Sequence, residues 1–218
     1  MNLLRAGLLL LLCTASWGAD PFAHPATGKA LLDGALANPA ARLAQAQSLS
    51  GRFTHQKHLR EVARPLTSTG EFVFARELGV YWHTEKPFDS EVVLTRDGIL
   101  EKAERSQTLQ LSAGDQPAVR MIANVFLALF TLDMASLERD FELSSVSEGS
   151  RWTLGLKPRA GAIAAVFKQA TVSGVADVEQ VVLTDAHGDR TVIELSGIEY
   201  SGSPPDSRVR GLFNPARP

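Results

Sequence analysis

Cysteine is almost absent from this chain of 218 residues, whose single cysteine, Cys13, lies in the first segment. Loss of that segment would leave no thiol, which excludes a disulfide framework, a thiol nucleophile and thiolate ligands to a metal. Motifs of catalysis and nucleotide binding are missing as well: there is no GxSxG, no HExxH, no GxxxxGK[ST] and no GxGxxG. We therefore expect no enzyme, no cofactor and no use of ATP.

An excess of charge of one sign is also lacking. The formal net charge is −2, whereas a nucleic-acid-binding protein usually has an excess of basic residues. The five histidines are scattered along the chain, and His55 and His58 are predicted to point to opposite faces of an extended segment. Asp140 and Glu142 share one face of a predicted strand, but surface charge is their ordinary explanation. We expect no nucleic-acid partner and no metal site.

Long apolar runs occur only at the start, where a positive segment at 2–5 precedes an apolar segment at 6–13 and a zone of small residues. This order predicts a secretion signal over residues 1–19, cleaved after Gly18 or Ala19. A membrane anchor is the alternative, but the apolar run is far shorter than the roughly 20 residues that a bilayer needs. A lipid anchor on Cys13 is a second alternative. We expect residues 20–218 to form one periplasmic, monomeric domain with a flexible tail from about residue 202.

The segment 70–98 has the densest alternation of apolar and polar residues in the chain. Phe72 and Phe74 share one face of a predicted strand, and Val80 and Trp82 share one face of the next. The segment 76–79 between them is short enough for a hairpin, and Asp-Gly at 97–98 is typical of another. The pattern predicts three consecutive antiparallel strands with aromatic side chains on one side.

The same segment resembles the LolA-like periplasmic carriers of outer-membrane lipoproteins. The resemblance lies in Arg76 at a strand end, the string VYWHT at 80–84, Pro87 and the Asp-Gly turn at 97–98. The segment 53–57 is similar to the first strand of that family, with one extra residue. The resemblance implies a half-open β-barrel covered by helices over a hydrophobic cavity that holds acyl chains.

The rest of the chain has strands, then helices, then strands again. Helical spacing is found in three segments, at 27–48, 116–130 and 132–139. Asn38-Pro39 predicts a break in the first segment, and Asp133 is the predicted cap of the third. Alternation returns in 141–156 and 172–195. This order predicts a mainly β protein with helices, in which the helices lie on the concave side of one curved antiparallel sheet. That this sheet forms a half-open barrel is what the resemblance implies.

The aromatic face can be a filled core or the wall of a cavity, and the residues alone favour a filled core. The apolar helix at 116–130 is likewise either a core helix or a lid. The resemblance favours a cavity covered by a lid. On that basis the predicted cavity lining is Phe53, Phe72, Phe74, Val80, Trp82, Leu94, Leu109, Ile122, Phe126, Trp152 and Leu154.

Arg76 has a predicted role that comes from the resemblance. In the family, the matching arginine bonds to backbone groups of the covering helices and holds the lid shut until cargo enters. A guanidinium carries five donors, enough for several helix-terminal carbonyls at once. Here Glu77 replaces the proline that usually follows, so the alternative is an exposed turn arginine paired with Glu77.

The resemblance implies a carrier that receives an acylated cargo from an inner-membrane release complex and delivers it to an outer-membrane receptor without ATP. The cargo is a lipoprotein or another acylated compound. An alternative is a sensor that uses the same cavity to detect lipid or lipoprotein and regulates a membrane partner.

Overall fold

One antiparallel sheet organises the molecule. The computed structural model describes residues 20–103, 109–112 and 117–214; the predicted leader lies outside them. Within these ranges eleven strands pair in the order β6-β5-β4-β3-β2-β1-β11-β10-β9-β8-β7. The strands are β1 Ser48–His58, β2 Leu66–Ala75, β3 Gly79–Lys86, β4 Ser90–Thr95, β5 Gly98–Ala103, β6 Leu109–Ser112, β7 Phe141–Glu148, β8 Arg151–Pro158, β9 Phe167–Gly174, β10 Val178–Asp185 and β11 Arg190–Ser201.

The sheet consists of two meanders: the first is formed by β1 to β6 and the second by β7 to β11. They are joined by the pairing of β1 with β11. β1 pairs with β2 on one side and with β11 on the other, so the first and last strands meet in the middle. Each other neighbouring pair is consecutive in sequence, which short turns allow between antiparallel strands. The single antiparallel sheet predicted from the alternation is confirmed.

Helices precede the first strand, lie in two connections in the middle of the chain and follow the last strand. They are a 3-10 helix at Pro21–Ala23 and the α-helices α1 Gly28–Asp33, α2 Ala37–Gln45, α3 Pro117–Thr131, α4 Met134–Asp140, α5 Ala162–Val166 and α6 Ser207–Leu212. The last of these lies in the segment that was predicted as a flexible tail. No helix in the described ranges is long and apolar enough to cross a bilayer.

The helix boundaries follow their capping residues in most cases. The side chain of Asp133 accepts a hydrogen bond from the backbone N of Ser136 at 3.0 Å, so the predicted cap of α4 is confirmed. The predicted break in the first helical region is also confirmed, because α1 and α2 are separate helices. The predicted cap at Asn38 is wrong: α2 begins earlier, and Asn38 and Pro39 lie inside its first turn, where proline is tolerated.

Aromatic side chains fill the concave side of the first meander. The rings of Phe53 and Trp82 stack with centroids 3.9 Å apart. Phe130 of α3 lies 5.7 Å from the ring of Phe72 and 5.6 Å from that of Phe74. The two contacts of Phe130 are in the range favoured by aromatic pairs, so they fix the end of α3 on β2.

The edge strand β7 is covered by the first residues of the domain. The backbone N of Ser145 donates to the carbonyl of His24 at 2.9 Å, and the N of Ala26 donates to the carbonyl of Leu143 at 2.9 Å. An uncovered edge would offer unpaired backbone groups to another chain. The short segment before α1 therefore protects this edge of the sheet.

Candidate functional site

The concave side of the second meander encloses a cavity of about 130 Å³. The helices α2, α3 and α5 lie opposite the sheet and complete its wall. The lining residues are Pro39 and Leu43 of α2; Val125, Phe126, Leu129 and Phe130 of α3; Ile163 of α5; and, from the strands and their turns, Leu49, Phe72, Trp82, Phe141, Leu156, Pro158, Phe167, Gln169, Ala170, Val172, Asp177, Val178, Val181, Leu183, Ile193, Leu195, Ile198 and Tyr200.

The wall of this cavity is almost entirely apolar. Its polar side chains are Gln169, Asp177 and Tyr200. In the described part of the chain, no group of three or more histidine, cysteine, aspartate or glutamate side chains is placed to hold a metal ion. An apolar space of this kind binds hydrocarbon through burial of its surface, with few polar contacts to fix a head group.

The predicted lining residues divide between the cavity wall and the packed core. Phe72, Trp82 and Phe126 lie in the wall. Phe53, Phe74, Val80, Leu94, Trp152 and Leu154 are buried in the adjoining core and do not reach the cavity. Leu109 lies in β6 and Ile122 in α3, but their side chains lie outside the described residues.

Sequence reasoning missed most of the wall, and the last three strands contribute the largest share of it. Val172, Val181 and Ile193 are neighbours across β9, β10 and β11, because Val181 is opposite both of the others. Alternation in these strands is the signal that could have found them. It is an aliphatic pattern, and it is less conspicuous than the aromatic hairpins that directed attention to the first meander.

Arg76 lies at the end of β2 and reaches the end of α2. Its Nε donates to the carbonyl of Ala46 at 3.1 Å, and its Nη2 donates to the carbonyl of Leu43. These carbonyls are at the C-terminal end of the helix, where the partial negative charge favours a cation. No ion pair joins Arg76 to Glu77, both of which are within the described residues. The side chain therefore joins the β2–β3 hairpin to a helix that lines the cavity.

A second polar contact joins the same helix to the sheet. Arg42 of α2 forms an ion pair with Asp177 at 2.8 Å, and its guanidinium lies 4.7 Å from the ring centroid of Tyr200. The hydroxyl of Tyr200 donates to Asp177 at 2.8 Å. Burial and the adjacent Asp177 carboxylate raise the pKa of Tyr200 well above its ordinary value, so the hydroxyl keeps its proton and remains a donor.

The convex face of the first meander carries charged side chains instead. His83 lies 3.0 Å from Asp89 and 3.7 Å from Glu71. Burial works against the charged form, but the hydrogen bonds and charges of the two carboxylates prevail and raise the pKa of His83. This face is therefore distinct in chemistry from the apolar cavity on the other side of the sheet.

The fold and the cavity together define an open antiparallel half-barrel with a helical cover and an apolar interior. The family model of the outer membrane lipoprotein carrier protein LolA matches residues 44–209. The chain belongs to the LolA family. The resemblance in the hairpins at 70–98 is thereby confirmed.

Similarity to single proteins extends over most of the chain. An outer-membrane lipoprotein carrier protein of Leptothrix cholodnii is 29% identical over 204 residues, which cover 92% of this chain and 87% of that protein. Among solved structures, a LolA superfamily protein from Nitrosomonas europaea aligns at TM-score 0.45 and 9% identity, over 81% of this chain and 96% of that chain. A DUF1329 family protein from Desulfovibrio piger aligns at TM-score 0.46 and 13% identity, over 88% and 98% of the two chains.

Proposed function

We propose that the protein is a periplasmic carrier, and not an enzyme, that shields the acyl chains of a lipoprotein or another acylated cargo in the cavity. It receives the cargo from an inner-membrane release complex and delivers it to an outer-membrane receptor without ATP. The observation that carries the proposal is the apolar cavity between the second meander and the helices α2, α3 and α5. The family and its carrier-named relative support the proposal.

The need for such a carrier follows from the cost of exposing hydrocarbon to water. Each buried CH₂ group contributes about 0.8 kcal/mol, so a chain of about 15 such groups costs about 12 kcal/mol to leave in water. A cavity of about 130 Å³ is comparable in size to an apolar cavity that takes a single benzene ring. A complete acyl chain therefore requires the covering helices to move outward, which gives the helix contacts a direct influence on binding.

A release assay tests the proposal directly. Spheroplasts that synthesise a lipoprotein are incubated with the purified protein, and the medium is examined for a soluble complex of the two. We expect the acylated form to be released and a form with its acylated cysteine replaced by serine not to be bound. If neither form binds, the proposed function is wrong. If the protein instead remains attached to the inner membrane whether or not cargo is present, the sensor alternative is favoured.

Arg76 is proposed as a latch that favours the closed position of α2. Replacing it with leucine removes two hydrogen bonds from a charged donor, each of which contributes about 1.5–3 kcal/mol. The open, loaded form then gains in relative stability, so Arg76→Leu is expected to hold a fluorescent fatty acid and transfer it to lipid vesicles about tenfold more slowly. Stopped-flow transfer measurements check this expectation.

Arg76→Lys is the matched control, because lysine keeps the charge but cannot place two donors in the fixed geometry of a guanidinium. It is expected to give an intermediate transfer rate. Circular dichroism of both variants checks that the fold is retained. Transfer rates equal to that of the unmodified protein, in folded Arg76→Leu, would remove the latch from the account.

A further inference from the structure

One acidic side chain lies in the wall of the apolar cavity. Asp177 lies in the turn between β9 and β10, and its carboxylate is held by Arg42 and by the hydroxyl of Tyr200, each at 2.8 Å. A carboxylate beside an apolar space is costly unless it has partners, and these two contacts supply them. The partners come from α2 and from β11, so the group joins a covering helix to the sheet.

The position of Arg42 in α2 connects the contact between Arg42, Asp177 and Tyr200 to the cavity. Arg42 is adjacent in sequence to Leu43, and Leu43 and Pro39 of the same helix line the cavity. A chain that enters the cavity must therefore displace the side chains next to Arg42. Because Asp177 is fixed on the sheet, outward movement of α2 separates the two charged groups.

The two polar contacts of α2 are made by neighbouring residues of the helix but reach different parts of the sheet. Arg76 follows β2, whereas Asp177 follows β9, and the strands β1, β11 and β10 lie between β2 and β9. Measured along the sheet at about 4.8 Å between neighbouring strands, β2 and β9 are about 19 Å apart, and Tyr200 lies on β11 between them. The contacts share no residue, because Arg76 bonds to backbone carbonyls of α2 and Asp177 bonds to the side chain of Arg42.

We propose that Arg42, Asp177 and Tyr200 form a second clamp on α2, independent of Arg76, which opens whenever the cavity takes up or releases an acyl chain. The inference rests on the proposed function, since it assigns a role to the movement of α2 during loading. The two clamps together hold the helix closed over an empty cavity. Loading has to break both, so each sets part of the barrier to uptake.

The test is the rate at which the empty protein takes up N-phenyl-1-naphthylamine, an apolar dye that fluoresces when it leaves water. Asp177→Asn and Arg42→Met are each expected to raise the uptake rate about fivefold, the effect expected for one partly exposed ion pair with an added hydrogen bond. The double variant is expected to be no faster than the single ones, because both changes break the same contact. Asp177→Asn combined with Arg76→Leu is expected to multiply the two separate effects.

Two further variants separate the clamp from general loosening of the protein. Tyr200→Phe removes only the hydroxyl, and a smaller acceleration of about twofold is expected. Glu85→Gln breaks the ion pair between Arg52 and Glu85 on the first meander, at 2.7 Å, and is expected to leave uptake unchanged. Hydrogen exchange gives a readout that does not depend on the dye: amides of 37–45 should exchange faster in Asp177→Asn, with the rest of the sheet unchanged.

The outcomes distinguish failure of the clamp from failure of the proposed carrier function. One outcome is that the unmodified protein takes up the dye while Asp177→Asn and Arg42→Met have the same uptake rate and the same hydrogen exchange as the unmodified protein. That result would overturn the clamp and leave the proposed function intact. Absence of dye uptake in every variant would overturn the proposed function and the clamp with it. If Glu85→Gln accelerates dye uptake as much as Asp177→Asn does, the clamp is also overturned, because loss of any ion pair would then accelerate uptake.

Discussion

Replacing Val181 with tryptophan is expected to lower the affinity of the protein for an apolar ligand about a hundredfold. Val181 lies in β10 and its side chain lines the cavity. The larger ring occupies space for roughly four methylene groups, which together are worth about 3 kcal/mol at about 0.8 kcal/mol each. Since about 1.4 kcal/mol corresponds to a tenfold change, the loss is about two orders of magnitude. Titration with a fluorescent fatty acid measures it.

Val182→Trp is the matched control for this substitution. Val182 is the next residue of the same strand, so its side chain points to the other face of the sheet and is not part of the cavity wall. The same tryptophan there should leave the affinity within about twofold of the original. If Val181→Trp binds as tightly as Val182→Trp, the ligand does not occupy this cavity.

Replacing Gly70 with alanine is expected to lower the free energy of unfolding by about 3 kcal/mol. Gly70 lies in β2, where the register with β3 shifts. A Cβ atom there would be 1.9 Å from the backbone oxygen of His83 and 2.9 Å from Cζ of Phe53. The backbone of β3 cannot move away without breaking strand pairing, so the cost is at the upper end of that found for overpacked sites.

Chemical denaturation of Gly70→Ala measures this cost, and Gly211→Ala provides the control. Gly211 lies in α6, and nothing is within 4 Å of the Cβ position there. Alanine in an exposed helix is favoured over glycine, so this variant should be equally stable or more stable by about 0.5–1 kcal/mol. A Gly70→Ala protein as stable as the Gly211→Ala protein would contradict the close approach of β2 and β3.

The strands and helices were predictable because their signals are local. The alternation in β2 and β3, the Asp-Gly turn before β5 and the capping side chain of Asp133 each act over a few residues, and the structure has all of them. The start of α2 was harder to predict from the sequence. Asn38 is a favourable capping residue, but in the tertiary structure the helix begins two residues earlier than that cap would place it, at Ala37, with Leu36 at the cap position.

The place of the cavity could not be predicted from the same signals. A cavity is the difference between the space enclosed by a fold and the volume of its side chains, and alternation reveals only which side chains face inward. The aromatic rings of Phe53, Phe72 and Trp82 fill the space on their own side by stacking on one another. The smaller side chains of β9, β10 and β11 leave space that the helices do not fill.

The polar contacts of α2 show a second limit of sequence reasoning. Arg42, Asp177 and Tyr200 are distant in sequence, and none of them belongs to a motif. They meet because β11 returns to the centre of the sheet and β10 lies beside it. Arg76 was recognisable only through its resemblance to a family pattern, and its bonds to carbonyls of α2 became visible only in the structure.

Native mass spectrometry of the protein, purified gently from cells that express it, tests the central claim most directly. We expect a fraction of the protein to carry an added mass that organic extraction releases as an acylated compound, and Val181→Trp to lack it. The identity of that compound would distinguish a lipoprotein from another acylated cargo. A single mass for the unmodified protein without any addition, together with no uptake of an apolar dye, would contradict the account.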